Sequence, residues 1–232
     1  MNFKDDVLKT LDIHLSSLQL EQFHQYFEFL IKYNQSVNLT SITDQEEVYY
    51  KHFFDSLSLT KCVDLSQVIT LCDMGAGAGF PSIPVKIAFP HLQITIVDSL
   101  NKRILFLNEL LQRLGLDCVR TVHDRIENFG KKNVNQFDLV TARALGPLPL
   151  ILEMGLPITR IDGHFIAFKA TSYQKELETA HSALNNLAGS IENVTTLELP
   201  KDYGFRALIR VKKNRHVSGY PRTYALMLKK PL

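Results

Sequence analysis

Residues 68 to 81 read VITLCDMGAGAGFP: an apolar run ending in an acid at Asp73, glycines at alternate positions Gly75, Gly77 and Gly79, then Phe80 and Pro81. The run has the length and composition of a buried strand, and PSIPVKIAF (81–89) has the apolar spacing of a helix. Glycines between a strand and a helix let the backbone turn tightly and approach a ligand. The helix start beyond Pro81 offers unpaired N–H groups and the positive end of its dipole. Gly75, Gly77 and Gly79 are therefore expected to border a cofactor. The nicotinamide fingerprint G-x-G-x-x-G would require glycine where Phe80 stands, which disfavours a dinucleotide.

Outward from this stretch the same grammar repeats. The runs QITIVD (93–98), DCVRTV (117–122), FDLVTA (137–142) and GHFIAFK (163–169) read as strands, separated by the helical patterns NKRILFLNELLQRLG and LPLILEMGLPI. Gly115 is placed to cap the first of these helices. Such alternation implies right-handed crossovers and a mostly parallel sheet covered on both faces. IENVTTLEL and FRALIRVKK, joined by a short Pro-containing segment, read as an antiparallel hairpin that completes a seven-stranded sheet. Residues 1–60 are helical in pattern, with Leu8, Leu11, Leu15, Phe23, Phe27, Leu30 and Ile31 at three- and four-residue steps. Thr43 and Glu46 have capping-box spacing ahead of a helix carrying Tyr49, Phe53, Phe54 and Leu57. The expected organisation is an α/β Rossmann-like domain over 61–232, with an N-terminal helical extension (1–60) packed on it as one structural unit.

The formal charge of +2 conceals an asymmetry: residues 201–232 hold nine Lys or Arg against Asp202 alone. A basic C-terminus suits a polyanion, because each neutralised phosphate releases condensed counterions; a solvated tail is the plainer alternative. Lys212, Lys213, Arg215, Arg222, Lys229 and Lys230, with Tyr220 as a stacking platform, are the candidate contacts to such a polyanion. Deleting 212–232 is then expected to weaken polyanion binding and leave cofactor affinity nearly unchanged. Cys62, Cys72 and Cys118 have no CxxC spacing and read as core residues, neither a disulfide framework nor a zinc site. With no secretory pattern and no run of 18 apolar residues, the expectation is a cytoplasmic protein without a membrane partner.

Strand ends supply the remaining candidates. Asp98 closes the second strand, where a carboxylate can accept both ribose hydroxyls of an adenosine. His123 to Glu127 (HDRIE) follows the third strand, a polar turn with one apolar residue, suited to stacking an adenine and bonding its edge. Asp73 would sit badly beside a pyrophosphate but suits a cofactor bearing an ammonium group, as S-adenosylmethionine does. Arg143 and Lys169 end the fourth and fifth strands and are expected to face the crevice, as substrate contacts or as structural ion pairs.

Over nearly its whole length the sequence resembles the ribosomal RNA small subunit methyltransferase G family, also called glucose-inhibited division protein B. The resemblance rests on Tyr33-Asn34 with Val37-Asn38-Leu39-Thr40, on His52 to Leu57, on Asp73 to Phe80, and on Val97-Asp98-Ser99 with Lys102-Arg103. Phe137-Asp138, Ala142-Arg143-Ala144, Tyr220-Pro221-Arg222 and Lys229 to Leu232 complete it. It implies a class I S-adenosylmethionine-dependent methyltransferase that yields S-adenosylhomocysteine and modifies a guanine N7 in 16S rRNA. Naked rRNA or the small ribosomal subunit would be the partner, with no obligate protein partner. It further implies cofactor contacts at Gly75, Phe80, Ile126, Glu127 and Arg143, with Asp98 on the ribose. Asn38, His52 and Asp55 fall on the substrate side, the last two as a hydrogen-bonded pair three residues apart. Ser82, Ala170 and Thr223-Tyr224-Ala225 depart from the family's usual residues.

Guanine N7 carries an unprotonated in-plane lone pair at neutral pH, so alignment replaces a general base. A non-catalytic ribosome-assembly factor with the same fold, a nicotinamide oxidoreductase and a small-molecule methyltransferase are the competing readings.

Overall fold

The computed structural model describes residues 2–232. The chain opens with α1 (Phe3–Leu11), which buries Phe3, Val7 and Leu11 at four-residue steps, and α2 (Ser17–Val37), which buries Phe23, Tyr26, Phe29 and Leu30. Ser16 and Gln19 cap α2 reciprocally, and Asn38, left-handed at φ 51°, ends it. Next comes α3 (Gln45–Val48). Its cap is Asp44, whose carboxylate accepts the Glu47 N–H at 3.0 Å, one residue beyond the Thr43 the spacing predicts. A carboxylate there also gains from the helix dipole, as Thr43 would not. A π-helical turn (Tyr49–Phe54) leads into α4 (Asp55–Leu57).

The rest alternates as β1 (Thr70–Met74), α5 (Ser82–Ala88), β2 (Gln93–Asp98), α6 (Asn101–Leu114), β3 (Val119–His123), α7 (Ile126–Lys132), β4 (Phe137–Arg143), α8 (Leu148–Gly155) and β5 (Thr159–Lys169). After these come α9 (Tyr173–Thr179), α10 (His181–Leu187), β6 (Gly189–Glu198), β7 (Phe205–Lys213) and α11 (Tyr224–Lys229). All seven predicted strands form, in the order β3-β2-β1-β4-β5-β7-β6. β1 to β5 are parallel, and β7 runs antiparallel between β5 and β6. Gly115 caps α6 at φ 61°, as its position predicts.

One apolar cluster joins the N-terminal helices, α5 and α6 to one face of the sheet; the other joins α8 and α10 to the opposite face. Cys62 and Cys72 are buried, but Cys118, in the turn before β3, is exposed. Strand order reverses between β1 and β4, so the following helices diverge to opposite faces and leave a crevice beyond the carboxyl ends of the strands.

Candidate active site

The turn after β1 is held from several sides. The Gly75 N–H donates to the Val97 carbonyl at 2.8 Å, and the Gly77 N–H to Asp98 Oδ2 at 3.2 Å. Tyr26, fully buried in α2, donates its hydroxyl to the Ala78 carbonyl. Gly75, Gly77 and Gly79 all have positive φ, but their open sides differ. A Cβ on Gly77 would meet nothing within 4 Å, whereas one on Gly79 would lie 2.6 Å from Ile83 Cγ1 and 3.0 Å from Leu107 Cδ2. Gly77 therefore leaves room for a ligand, while Gly79 lets the loop pack on the core and lines neither of the two crevice cavities at the strand ends.

Asp73 departs from its expected role. Alternation along β1 turns it to the same face as Leu71, toward α5. There it is fully buried, with Oδ2 accepting the Ser82 N–H at 3.1 Å and Oδ1 the Thr141 hydroxyl at 3.0 Å. Burial pushes its pKa up to about 6 against these hydrogen bonds. It is a helix-capping acid and does not reach the crevice.

Two adjoining cavities run along the strand ends. One, about 300 Å³, is lined by Gly75, Val97, Asp98, Arg103, Ile126 and Glu127 among others. Asp98 is 2% exposed; beyond Gly77 it accepts from the Leu100 N–H at 2.9 Å and pairs with Arg103 Nη1 at 3.1 Å. The second, about 250 Å³, is lined by Thr40, His52, Gly77, Phe80, Arg103 and Arg143 among others. Gly75, Arg103 and Leu145 border both. The predicted cofactor residues Gly75, Gly77, Phe80, Asp98, Ile126, Glu127 and Arg143 thus lie on one continuous crevice.

A third cavity, about 440 Å³, opens beyond Arg143, Ala144 and Leu145. At its border Arg143 joins segments distant in sequence: its Nη2 lies 2.7 Å from the Lys51 carbonyl, 3.2 Å from His52 Nδ1 and 2.9 Å from Asp55 Oδ2. Arg206 Nε approaches Asp55 Oδ1 at 3.1 Å from β7. Asp55 is fully buried between the two guanidiniums, in contacts that are ionic and not aligned hydrogen bonds. His52 and Asp55 therefore do not bond each other as expected; Arg143 links them. His52 stacks on Phe80 at 4.4 Å and meets Thr40 Oγ1 at 3.0 Å. Burial, then the Arg143 charge, pulls its pKa down to about 3, so the imidazole is neutral at physiological pH. Lys169 lines the third cavity, but its ammonium is engaged by Glu176 at 2.6 Å and the Gly146 carbonyl at 2.7 Å. Asn38 is an exposed helix cap outside these cavities, because its backbone is used to end α2.

The basic C-terminus divides. Lys213 is 2% exposed, with its ammonium donating to the Pro157 and Thr159 carbonyls at 3.0 and 2.8 Å, and burial lowers its pKa to about 8; it is no surface contact. Lys212 pairs with Asp162 at 2.8 Å. Because β7 is antiparallel to β5, Lys212, Lys213 and Arg215 lie toward the sheet edge opposite the crevice. Arg222 is bound to buried Glu153, and Tyr220 is half-buried. Arg215, Lys229 and Lys230 are exposed. Sequence reasoning missed Arg206 and Tyr224. Nothing distinguished Arg206 from its eight basic neighbours, and Tyr224 reaches the crevice only because the chain turns back after β7.

A model of the family described as rRNA small subunit methyltransferase G matches residues 19–202. The ribosomal RNA small subunit methyltransferase G of Acholeplasma laidlawii is 50% identical over 226 residues, 97% of this chain and 98% of the relative. That of Staphylococcus carnosus is 47% identical over 229 residues, 97% of this chain and 95% of the relative. Among solved structures, precorrin-6y C5,15-methyltransferase from Geobacter metallireducens superposes with a TM-score of 0.53 at 17% identity, over 75% of this chain and 90% of that one, a likeness of fold.

Proposed function

The chain belongs to the ribosomal RNA small subunit methyltransferase G family, and on that premise we propose that it methylates N7 of a guanine in 16S rRNA, with S-adenosylmethionine as the donor bound along the glycine loop. The observation that carries this reading is the arrangement of the crevice: a buried carboxylate, Asp98, at one end, and at the other the buried Arg143 Nη1, which has no hydrogen-bond partner. An adenosine cofactor with an amino-acid moiety matches that donor set, and the open side of Gly77 gives it room. Bound there, it supplies a sulfonium methyl ready for transfer.

Asp98 accepts the ribose hydroxyls while it holds Gly77, and Val97 and Ile126 offer apolar walls to the purine. Arg143 Nη1 is the available donor for the carboxylate end. The third cavity, walled by Ile151, Phe168 and Arg206, takes the acceptor base. A nucleophile with a free lone pair needs alignment and no proton acceptor, which agrees with a His52 too weakly basic to take a proton and with an Asp55 committed to two arginines. Because the N7 edge of a guanine is hard to reach within an A-form helix, the target base is flipped out or lies in a loop. Of the C-terminal candidates, Arg215, Lys229 and Lys230 are exposed and available to phosphate, with Arg215 on the side away from the crevice. No helix among the described residues is long and apolar enough to cross a membrane. On this reading the protein works in the cytoplasm on rRNA or the small subunit.

The test is transfer of label from radioactive S-adenosylmethionine to small subunits from cells lacking the modification, mapped by nuclease digestion and mass spectrometry. N7-methylguanine at one 16S site is expected. Cofactor binding without transfer to subunits, naked rRNA or assembly intermediates would replace the enzyme with a non-catalytic assembly factor.

A further inference from the structure

The chain beyond β7 returns across α7 and α8 and is fastened there. Glu153 holds Arg222 through three hydrogen bonds: the guanidinium donates Nε to Oε1 at 2.5 Å and Nη2 to Oε2 at 2.6 Å, and the backbone N–H donates to Oε1 at 3.2 Å. Pro221 packs where Gly130 lacks a side chain, a Cβ there falling 2.9 Å from Pro221 Cγ. Met227 of α11 is 1% exposed. Between these anchors stands Tyr224, with the Arg125 guanidinium over its ring at 4.7 Å from the centroid. Arg125 is in turn oriented by the nearly buried Glu127, and both Tyr224 and Arg125 line the 300 Å³ cavity with Asp98 and Ile126.

We infer that Tyr224, delivered by the anchored C-terminal strap, is a cofactor-contact residue that walls the adenosine end of the pocket and sets cofactor affinity. The inference rests on the S-adenosylmethionine reading above. A phenol ring beneath a guanidinium plane is a surface on which a purine packs or stacks, and such contacts are sequence-distant here only because the strap doubles back. The anchors on both sides order Tyr224 in advance, so little affinity is lost in immobilising it on binding. Truncation of the strap then removes part of the cofactor site as well as basic residues, contrary to the expectation drawn from charge alone.

The chain contains no tryptophan, so Tyr224→Trp introduces a single tryptophan at this wall, whose emission can be excited selectively beyond the tyrosine absorption band. Titration of that variant with S-adenosylmethionine and S-adenosylhomocysteine is compared with calorimetry on the wild type, Tyr224→Phe and Tyr224→Ala, each checked by thermal melting. The expected results are a saturable emission change matching the calorimetric Kd, near-normal affinity for Tyr224→Phe, and roughly tenfold weaker binding for Tyr224→Ala. Silent tryptophan emission while calorimetry shows saturation, or wild-type affinity in a folded Tyr224→Ala, overturns the role of Tyr224 and leaves the cofactor reading standing. Absence of wild-type binding overturns the cofactor reading itself, and this inference with it. Should Tyr224→Ala fail to fold, the tryptophan reporter decides.

Discussion

Replacing Asp55 with alanine leaves two guanidiniums, Arg143 and Arg206, facing a site from which their shared counter-charge has gone. Asp55 is fully buried, 2.9 Å from one and 3.1 Å from the other. Removing one partner of a buried ion pair is destabilising by about 3–5 kcal/mol, because the charge left behind is uncompensated. Both arginine side chains keep some contact with water, 16% and 21% exposed, and the approaches are not aligned hydrogen bonds, so the lower end, about 3 kcal/mol, is expected. For a chain of this length that is a fall in Tm of about 6–12 °C. Urea unfolding at neutral pH should show a lower midpoint with unchanged m value. Adding Arg206→Met should recover part of the loss, since one of the two unpaired charges is then removed as well. A loss below about 1 kcal/mol for Asp55→Ala, or no recovery in the double variant, would refute the view of Asp55 as the counter-charge that sets Arg143 in place.

Five further outcomes follow from the geometry. Asp98→Ala should weaken S-adenosylmethionine binding by about 1.5–3 kcal/mol in calorimetry, through loss of charged-acceptor hydrogen bonds; unchanged affinity would place the ribose elsewhere. Gly79→Ala, strained at φ 100° and colliding with Ile83, should lower stability by about 2 kcal/mol or more, whereas Gly77→Ala should lose cofactor affinity more than core packing; chemical denaturation and calorimetry separate the two. As pH falls from 6.5 toward 3, the unfolded chain protonates its histidine while buried His52 stays neutral, so stability is lost; a His52→Asn variant should lose less. Asp73 has the opposite sign, since its raised folded-state pKa near 6 adds stability as pH falls toward the ordinary carboxylate range. Asp73→Asn should therefore steepen the acid loss, as pH-dependent melting would show. Lys229→Ala with Lys230→Ala should reduce the salt slope of RNA binding by up to about two, and Lys213→Met should leave that slope unchanged while lowering stability.

The seven strands, the glycine turn, Asp98 at a strand end and the Gly115 cap were legible in the sequence, because each is a local matter of period two, period 3.6 or turn chemistry within a few residues. So was the family, whose motifs are short and contiguous. The position of Asp73 was legible too, but not its direction: which face of β1 it takes depends on where α5 packs. Charge count is blind to docking, and so Lys213 read as a polyanion contact although the Pro157 and Thr159 carbonyls and the Asn135 amide oxygen enclose its ammonium. The group of His52, Asp55, Arg143 and Arg206 comes from three segments up to 154 residues apart, and Tyr224 joins Asp98 only through the returning strap. Local sequence determined the elements and the order in which they come. Tertiary packing alone decided which charges are neutralised, which face the crevice and which are buried, because those energies depend on neighbours that chain spacing does not specify.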